Sequence, residues 1–228
     1  MKITFLGQNC FLFNYKGKNI LSDPFYNYQK DQSGFDIKSH TIDYILLTHA
    51  HGDHITDVEE VLAHYPEATI IGVPEICDYF KTAKNTCDIN LGGSAKVEDL
   101  KISMVPAHHT SSFPDGTYGG VPVGYIFRLP EGRNMYLAGD TGVMADMELF
   151  PRLFGKIELS ILPIGSHYTM CPRKAAFAAG ELLKTPKVIG CHFDTFPPIT
   201  INHESAMKHF EDKNVELVLP KLGEEFEF

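Results

Sequence analysis

Three histidines and an aspartate lie within six residues, in the segment 48–54, Thr-His-Ala-His-Gly-Asp-His. The segment follows the apolar run 44–47, whose shortness and polar boundaries predict a buried strand. The first two histidines are two positions apart, so on an extended chain both point to the same face. The glycine allows a turn, after which the last Asp-His pair leaves in another direction. This corner can therefore supply ligands to two neighbouring metal ions.

Further donors follow predicted strands elsewhere in the chain. The strands are expected at 100–106, 134–138, 158–164 and 187–192. Functional residues cluster where strands end, and a metal centre needs more ligands than the 48–54 corner supplies. Singly, each donor also suits an ordinary role, as a hydrogen-bonded histidine or a turn aspartate. Together they provide what the corner lacks: His108 or His109, Asp140 in a Gly-Asp-Thr-Gly turn, His167, and His192.

The order of these donors along the chain resembles the metallo-β-lactamase superfamily. A histidine near 109, then Gly-Asp-Thr at 139–141, then His192 follow the motif at 49–54. Other stretches resemble more narrowly a branch of small bacterial metal-dependent hydrolases near the ascorbate-6-phosphate lactonases. The resemblance spans nearly the whole chain and implies a four-layer αββα sandwich with the metals at one edge of its sheets. The narrower likeness rests on residues 3–7, 21–25, 163–165 and 193–199.

The resemblance also implies a ligand set for two divalent cations. The sequence pattern of the branch favours His109 as the ligand from the 108/109 pair and leaves His108 as the alternative. Asp140 would bridge both ions. The first ion would be bound by His49, His51 and His109, and the second by Asp53, His54 and His192.

Two residues are expected to act beside the ligands. Ligand histidines usually donate their other N–H to a carboxylate or carbonyl, and Asp23 is expected to serve one of them. His167 stands where the branch usually has a polar pair after Pro-Ile-Gly. It is a candidate for protonating a leaving group, since an unperturbed imidazole titrates near pH 6.5. A substrate contact, a supporting hydrogen bond and a plain surface position are its alternatives.

The implied function is a hydrolase in which a metal-bound hydroxide cleaves a small ester, lactone or phosphodiester. Asp53 and Asp140 would hold the ions that generate the attacking group. Imidazole and carboxylate ligands suit Zn²⁺, which we expect, with Mn²⁺ second. The alternatives are a nuclease of the same superfamily and a metal-binding protein without turnover.

The composition limits the kinds of binding partner and compartment to expect. The formal net charge is −9 with no run of basic residues, so no nucleic-acid partner is expected. The five cysteines are scattered, which favours a reducing compartment over a disulfide framework. The sequence shows neither a signal-peptide core nor a membrane-spanning run. We expect a cytoplasmic protein with a small-molecule substrate, and leave a symmetric assembly open.

The element pattern predicts one α/β (α+β) domain over residues 1–228. Two packed sheets flanked by helices would bury its apolar strands. A β-hairpin is expected from 2–14 and 18–25, with its turn at 15–18. A helix is expected to open at a capping box in 56–59, and an Ala-rich helix over 172–184.

Overall fold

The computed structural model describes all of residues 1–228 and contains fourteen strands. In chain order they are β1 (Lys2–Gly7), β2 (Cys10–Tyr15), β3 (Lys18–Ser22), β4 (Tyr44–Leu46), β5 (Thr69–Gly72), β6 (Asn85–Asp88), β7 (Ser94–Val97), β8 (Leu100–Pro106), β9 (Val123–Arg128), β10 (Asn134–Leu137), β11 (Ile157–Pro163), β12 (Lys187–Cys191), β13 (Glu216–Val218) and β14 (Glu225–Glu227).

Seven α-helices, four 3₁₀ helices and one π-helix connect the strands. Short 3₁₀ helices cover Tyr26–Gln29, Ile37–Ser39, Ala145–Glu148 and Pro197–Ile199, and a π-helix covers Ala178–Leu183. The α-helices are α1 (Lys30–Ser33), α2 (Gly52–Ile55), α3 (Val58–His64), α4 (Pro74–Tyr79), α5 (Phe150–Phe154), α6 (Pro172–Phe177) and α7 (His203–Glu211). None of them combines the length and the apolar character that crossing a lipid bilayer requires.

The chain divides into two compact units. The first unit comprises Met1–Ala95, Thr110–Pro122 and Lys221–Phe228, and the second comprises Lys96–His109 and Val123–Pro220. The expectation of one domain over the whole chain stays a prediction, and each unit is described by itself below.

The first unit is built on a seven-stranded sheet of order β14-β1-β2-β3-β4-β5-β6. Strands β14 to β3 pair antiparallel, whereas β3 to β6 pair parallel. Parallel strands end at the same edge of a sheet. The carboxyl ends of β3 and β4 therefore bring Asp23 next to the start of the 48–54 corner.

The second sheet has the order β13-β12-β11-β10-β9-β8-β7. Strands β10 to β13 pair parallel, and β9 runs antiparallel to both β8 and β10. Hence β8, β10, β11 and β12 all run in one direction, and their carboxyl ends precede the donors at 109, 140, 167 and 192. Parallel strands of this kind are usually covered on both faces, and β11 is buried at six of its seven residues.

The hairpin expected over 2–14 and 18–25 is more finely divided than predicted. The segment 2–14 is two antiparallel strands, β1 and β2, because the chain turns back at Gln8 and Asn9. Gln8 has a positive φ of 52°, which a non-glycine residue rarely adopts. The turn expected at 15–18 is present between β2 and β3.

The predicted capping box is wrong. Helix α3 begins at Val58 rather than at Thr56, and the separate short helix α2 precedes it. The Thr56 hydroxyl donates to the Gly52 carbonyl at 2.5 Å instead of accepting from a first-turn amide. This acceptor is one helical turn back, where a threonine side chain at a helix end readily bonds.

The Ala-rich helix predicted over 172–184 is present but changes type within its length. Helix α6 ends at Phe177, and a π-helix continues to Leu183. Gly180 lies in this wider segment, where a Cβ would be 3.0 Å from the Lys213 side chain. The alanines of both segments are buried in an apolar cluster that also contains Phe150 and Phe210.

Candidate metal centre

The 48–54 corner begins just after β4 and runs into α2. The Nε2 atom of His49 lies 3.1 Å from Nδ1 of His51. Two imidazole nitrogens on one tetrahedral zinc ion, each bonded at about 2.0–2.1 Å, lie roughly 3.4 Å apart. The two ring nitrogens therefore have the spacing of ligands that share one ion, and their assignment to one ion stays a prediction.

Asp53 and His54 form a second donor pair on the same corner. Oδ2 of Asp53 lies 3.5 Å from Nε2 of His54. The imidazole of His54 is fully buried, while the carboxylate of Asp53 is 27% exposed. This spacing also suits two ligands of one ion, so the corner contains a second pair of donors beside His49 and His51.

One buried carboxylate orients histidines of both pairs. Oδ2 of Asp23 lies 2.8 Å from Nδ1 of His54 and accepts the Thr48 hydroxyl at 2.6 Å. That hydroxyl oxygen lies 3.1 Å from Nδ1 of His49. With both Nδ1 atoms donating, Nε2 is the atom that His49 and His54 each offer to a cation. The expectation that Asp23 supports a histidine agrees with this geometry, which extends the support to a second one.

Gln8 and Asn9 contribute to the corner and were not anticipated from the sequence. The Gln8 amide nitrogen donates to Asp53 Oδ2 at 2.7 Å, and the Asn9 amide nitrogen donates to Asp23 Oδ2 at 3.0 Å. Both side chains are completely buried. The only available signal was a pair of amides between two apolar strands, which also describes an ordinary turn.

The segment 110–122 packs against the same corner. The Ser111 hydroxyl accepts from the Ala50 backbone N–H at 3.2 Å and donates to the Gly119 carbonyl at 3.0 Å. A Cβ at Gly119 would overlap the Ala50 side chain, so this close approach requires glycine. The Thr110 hydroxyl lies 3.3 Å from Nε2 of His51, which leaves Nδ1 of that ring facing His49.

In the second unit, Asp140 is the centre of the donor set. Its Oδ2 lies 3.0 Å from Nε2 of His192 and 3.5 Å from Nε2 of His109. The carboxylate is 3% exposed and His192 is 2% exposed. One carboxylate oxygen thus faces two imidazole nitrogens, and its role as a bridging ligand stays a prediction.

The structure separates His109 from His108. The His109 side chain is 13% exposed and faces Asp140, whereas His108 is exposed. The backbone of His108 is fixed instead: its N–H donates to the Thr141 hydroxyl at 3.0 Å, and its carbonyl accepts from Gly142 at 3.0 Å. These bonds tie the loop after β8 to the loop after β10 and so place His109 beside Asp140.

His192 is held in an unusual backbone conformation at the end of β12. Its φ is 53°, in the left-handed region, which persists only where the surroundings enforce it. A Cβ at Gly165 would overlap the His192 carbonyl oxygen. The glycine of the Pro-Ile-Gly motif therefore has a steric function, because it admits the backbone that carries the histidine.

His167 lies after β11 with an exposed side chain and a φ of 44°. Its ring packs edge-on against Tyr168, with the ring centroids 4.4 Å apart. His167 is therefore exposed at the edge of the second sheet, and its catalytic role stays a proposal.

The donors are chemically suited to a divalent cation. Within the first unit, ligating atoms of Asp23, His49 and His54 lie within 4.8 Å of one another. Imidazole nitrogens and carboxylate oxygens are ligands of Zn²⁺ and of other first-row divalent ions. The structure thus presents two sets of donors: His49, His51, Asp53 and His54 in the first unit, and His109, Asp140 and His192 in the second.

A family model described as a β-lactamase superfamily domain matches residues 18–193. The chain belongs to the metallo-β-lactamase superfamily. The matched region contains every proposed ligand, from His49 to His192.

Relatives in this superfamily share the length of the chain. A UPF0173 metal-dependent hydrolase of Flavobacterium johnsoniae is 45% identical over 228 residues, covering 100% of both chains. Another from Pyrococcus furiosus is 40% identical and covers 100% of this chain and 99% of its own. A solved metallo hydrolase of the archaeon Ignicoccus hospitalis is 32% identical, with a TM-score of 0.86 over 100% of this chain and 98% of its own.

These similarities confirm two predictions from the sequence. The fold is α/β and of the metallo-β-lactamase type, and the chain is a metal-dependent hydrolase. The narrower likeness to the ascorbate-6-phosphate lactonases stays a prediction.

Proposed function

We propose that this metal-dependent hydrolase binds two divalent cations, with Zn²⁺ expected and Mn²⁺ second, and hydrolyses a small ester, lactone or phosphodiester. His49, His51 and His109 would hold the first ion, and Asp53, His54 and His192 the second. Asp140 would bridge them.

The observation that carries the proposal is the position of the Asp140 carboxylate. Its Oδ2 faces both His109 and His192, which are assigned to different ions. The donors of the 48–54 corner support the same division, because they fall into two pairs with internal spacings of 3.1 and 3.5 Å.

When bound, two such cations polarise a carbonyl or phosphoryl oxygen and supply a hydroxide at neutral pH. Other residues of the chain hold the ligand side chains in position through hydrogen bonds. Asp23 accepts from Nδ1 of His54, so that Nε2 is the atom this ring offers to an ion, and it acts on His49 through Thr48. The bonds between the 108–109 and 141–142 segments fix His109 beside Asp140. Such outer hydrogen bonds typically change metal affinity or activity by about 10–100-fold when removed.

The charge of the chain favours a small substrate over a nucleic acid. With a net charge of −9, the protein as a whole repels a polyanion. The nuclease alternative is therefore the weaker one. Small esters, lactones and phosphodiesters all carry an oxygen that a cation can polarise and a leaving oxygen that needs stabilising.

His167 is proposed to protonate the leaving group, because it is an exposed imidazole at the end of a strand whose neighbours carry ligands. The His167→Ala variant should show a lower kcat and an altered pH–rate profile while keeping its metal content. An unchanged rate and profile would remove this residue from the mechanism.

Elemental analysis after exhaustive dialysis tests the metal assignment directly. The parent should retain two ions per chain, and Asp53→Ala should retain close to one. The His40→Ala variant is a matched control, since His40 lies in the loop before β4 and should leave the content at two. Two retained ions in Asp53→Ala would show that the second-site assignment is wrong.

The substrate class is tested by a screen with a bis-aryl phosphate, aliphatic and aromatic lactones, a simple aryl ester and a β-lactam reporter. Turnover should follow metal content when the protein is stripped by a chelator and reloaded with Zn²⁺ or Mn²⁺. Cleavage of a phosphodiester without any lactone would select the phosphodiesterase reading, and the reverse would select the lactonase. Failure of all four substrate types in fully loaded protein would contradict the proposed substrate class.

A further inference from the structure

Gln8 is a buried amide in a strained turn beside the proposed second ion. It lies between β1 and β2 with a φ of 52°, and none of its side chain is exposed. A left-handed conformation at a non-glycine residue costs free energy and persists where the surrounding structure enforces it. Two-residue hairpin turns commonly need a positive φ at this position and usually have Gly, Asn or Asp there, so a glutamine carries a backbone cost that those residues reduce.

The amide nitrogen of Gln8 has a hydrogen-bond partner in the protein, whereas the amide oxygen has none. The nitrogen donates to Asp53 Oδ2 at 2.7 Å, which is the oxygen atom 3.5 Å from Nε2 of His54. This contact fixes which end is nitrogen, because a carboxylate accepts only from the NH₂ group. The oxygen, Oε1, is buried, and no group of the protein donates to it.

A buried acceptor without a donor is costly, by about 1–3 kcal/mol in general, so native proteins rarely leave one unsatisfied. Oε1 and the nitrogen share one carbon atom, which places this acceptor close to Asp53. A small molecule can supply the donor that the chain does not, and water is the one that a hydrolytic centre always contains.

We propose that Gln8 is a positioning residue of this centre. Its amide nitrogen orients Asp53 as a ligand, and its amide oxygen accepts a hydrogen bond from a water molecule held there. This inference rests on the proposed function. It adds a residue from the amino-terminal turn to a centre whose ligands begin at the 48–54 corner. An amide suits the task because it supplies a donor and an acceptor and does not titrate.

The nitrogen's role is tested by Gln8→Met, which keeps the length of the side chain and removes both polar atoms. Zn²⁺ affinity is measured by competition with a chromophoric chelator, without substrate. We expect the second ion to bind about 10–100-fold more weakly and the first to bind as in the parent. The control is Asn14→Leu, which removes an amide from the same hairpin, where it bonds to Asn19 at 2.7 Å. Parent-like affinity for both ions in Gln8→Met would overturn the proposal.

The oxygen's role is tested at saturating Zn²⁺, where the loss of affinity no longer matters. If Oε1 orients a water molecule, Gln8→Met should still show a kcat lowered about tenfold or more with an unchanged KM. Recovery of the parent's kcat would eliminate this half of the proposal. A crystal structure of the Zn²⁺-loaded parent gives a check that does not depend on the variant's folding: a water molecule should lie within hydrogen-bonding distance of Oε1, and its absence would overturn the role.

The parent and Asp53→Ala distinguish the two levels of inference. If the parent retains fewer than two ions, the proposed function fails. If Asp53→Ala loses one ion and Gln8→Met loses no affinity, the dinuclear centre stands and the assignment of Gln8 fails.

Discussion

Nδ1 of His54 lies 2.8 Å from Oδ2 of Asp23, and both side chains are closed to solvent. The same carboxylate accepts from the backbone N–H of Thr48 at 2.9 Å, as well as from its hydroxyl. A carboxylate behind an imidazole selects the tautomer and the ring orientation. Asp23 therefore determines which nitrogen His54 offers to a cation, and through Thr48 it does the same for His49.

Replacing Asp23 by asparagine should weaken metal binding and the fold together. Asparagine keeps the shape but removes the charge that its buried donors require. We expect about 10–100-fold lower metal affinity and a loss of roughly 1.5–3 kcal/mol in the free energy of unfolding. Chelator competition and urea denaturation measure the two effects. Asp31→Asn, in the exposed helix α1, should change neither. Parent-like metal affinity in Asp23→Asn would show that the carboxylate is structural only.

Gly165→Ala should destabilise the second unit because the new Cβ would overlap the carbonyl oxygen of His192. Overpacking of this kind generally costs about 1–3 kcal/mol. The matched control is Gly142→Ala, where the nearest atom to the new Cβ would be 3.9 Å away. Thermal unfolding of the metal-free proteins should show a lower Tm for Gly165→Ala alone. Equal Tm values would mean that the ends of β11 and β12 move apart at little cost in free energy.

The Cys77 thiol should be unreactive in the folded protein. Burial, and then the neighbouring Asp88 carboxylate, raise the pKa of Cys77 to about 12. The folded state thus holds its proton more tightly than the unfolded chain, whose thiol titrates near 9.0. This contribution to stability is present below pH 9 and is lost as the pH rises toward 12. Iodoacetamide at pH 8 should leave Cys77 unmodified until urea is added, as read by peptide mass spectrometry. Rapid labelling without urea would contradict the burial.

The donors of the candidate centre were predictable because they carry signals in the sequence itself. Histidine and aspartate are scarce enough that the 49–54 spacing stands out, and Asp140 and His192 follow short apolar runs that predict strands. The choice of His109 over His108 depended on the family resemblance, because the spacing alone does not distinguish two adjacent histidines after one strand. The structure distinguishes them by burial and by the Asp140 contact.

What the sequence did not reveal depends on contacts made across long separations. Gln8 and Asn9 bond to carboxylates 45 and 14 positions away, and an amide pair in a turn gives no local sign of such partners. Thr56 shows the reverse case. Its spacing matched a capping box, but the Gly52 carbonyl one turn earlier was the nearer partner. Local patterns predict elements well, and they fail where a tertiary or neighbouring acceptor competes.

The two adjacent histidines should behave differently when truncated. His109→Ala removes the imidazole that faces Asp140 and should lower the affinity for the first ion at least tenfold, with loss of most activity. His108→Ala keeps the backbone bonds to Thr141 and Gly142, so its metal content should match that of the parent. Isothermal titration with Zn²⁺ compares the two variants. A larger loss in His108→Ala would reverse the assignment.

Asp140 should be the residue whose loss affects both ions at once. Its Oδ2 faces His109 and His192, so removing the carboxylate deprives both proposed sites of a ligand, whereas His192→Ala deprives only the second. We therefore expect Asp140→Ala to retain less than one ion per chain after dialysis and His192→Ala to retain about one. Asp146→Ala, in the 3₁₀ turn Ala145–Glu148 outside the donor set, should retain two. If Asp140→Ala and His192→Ala lose the same single ion, Asp140 belongs to the second site alone and the bridging role is wrong.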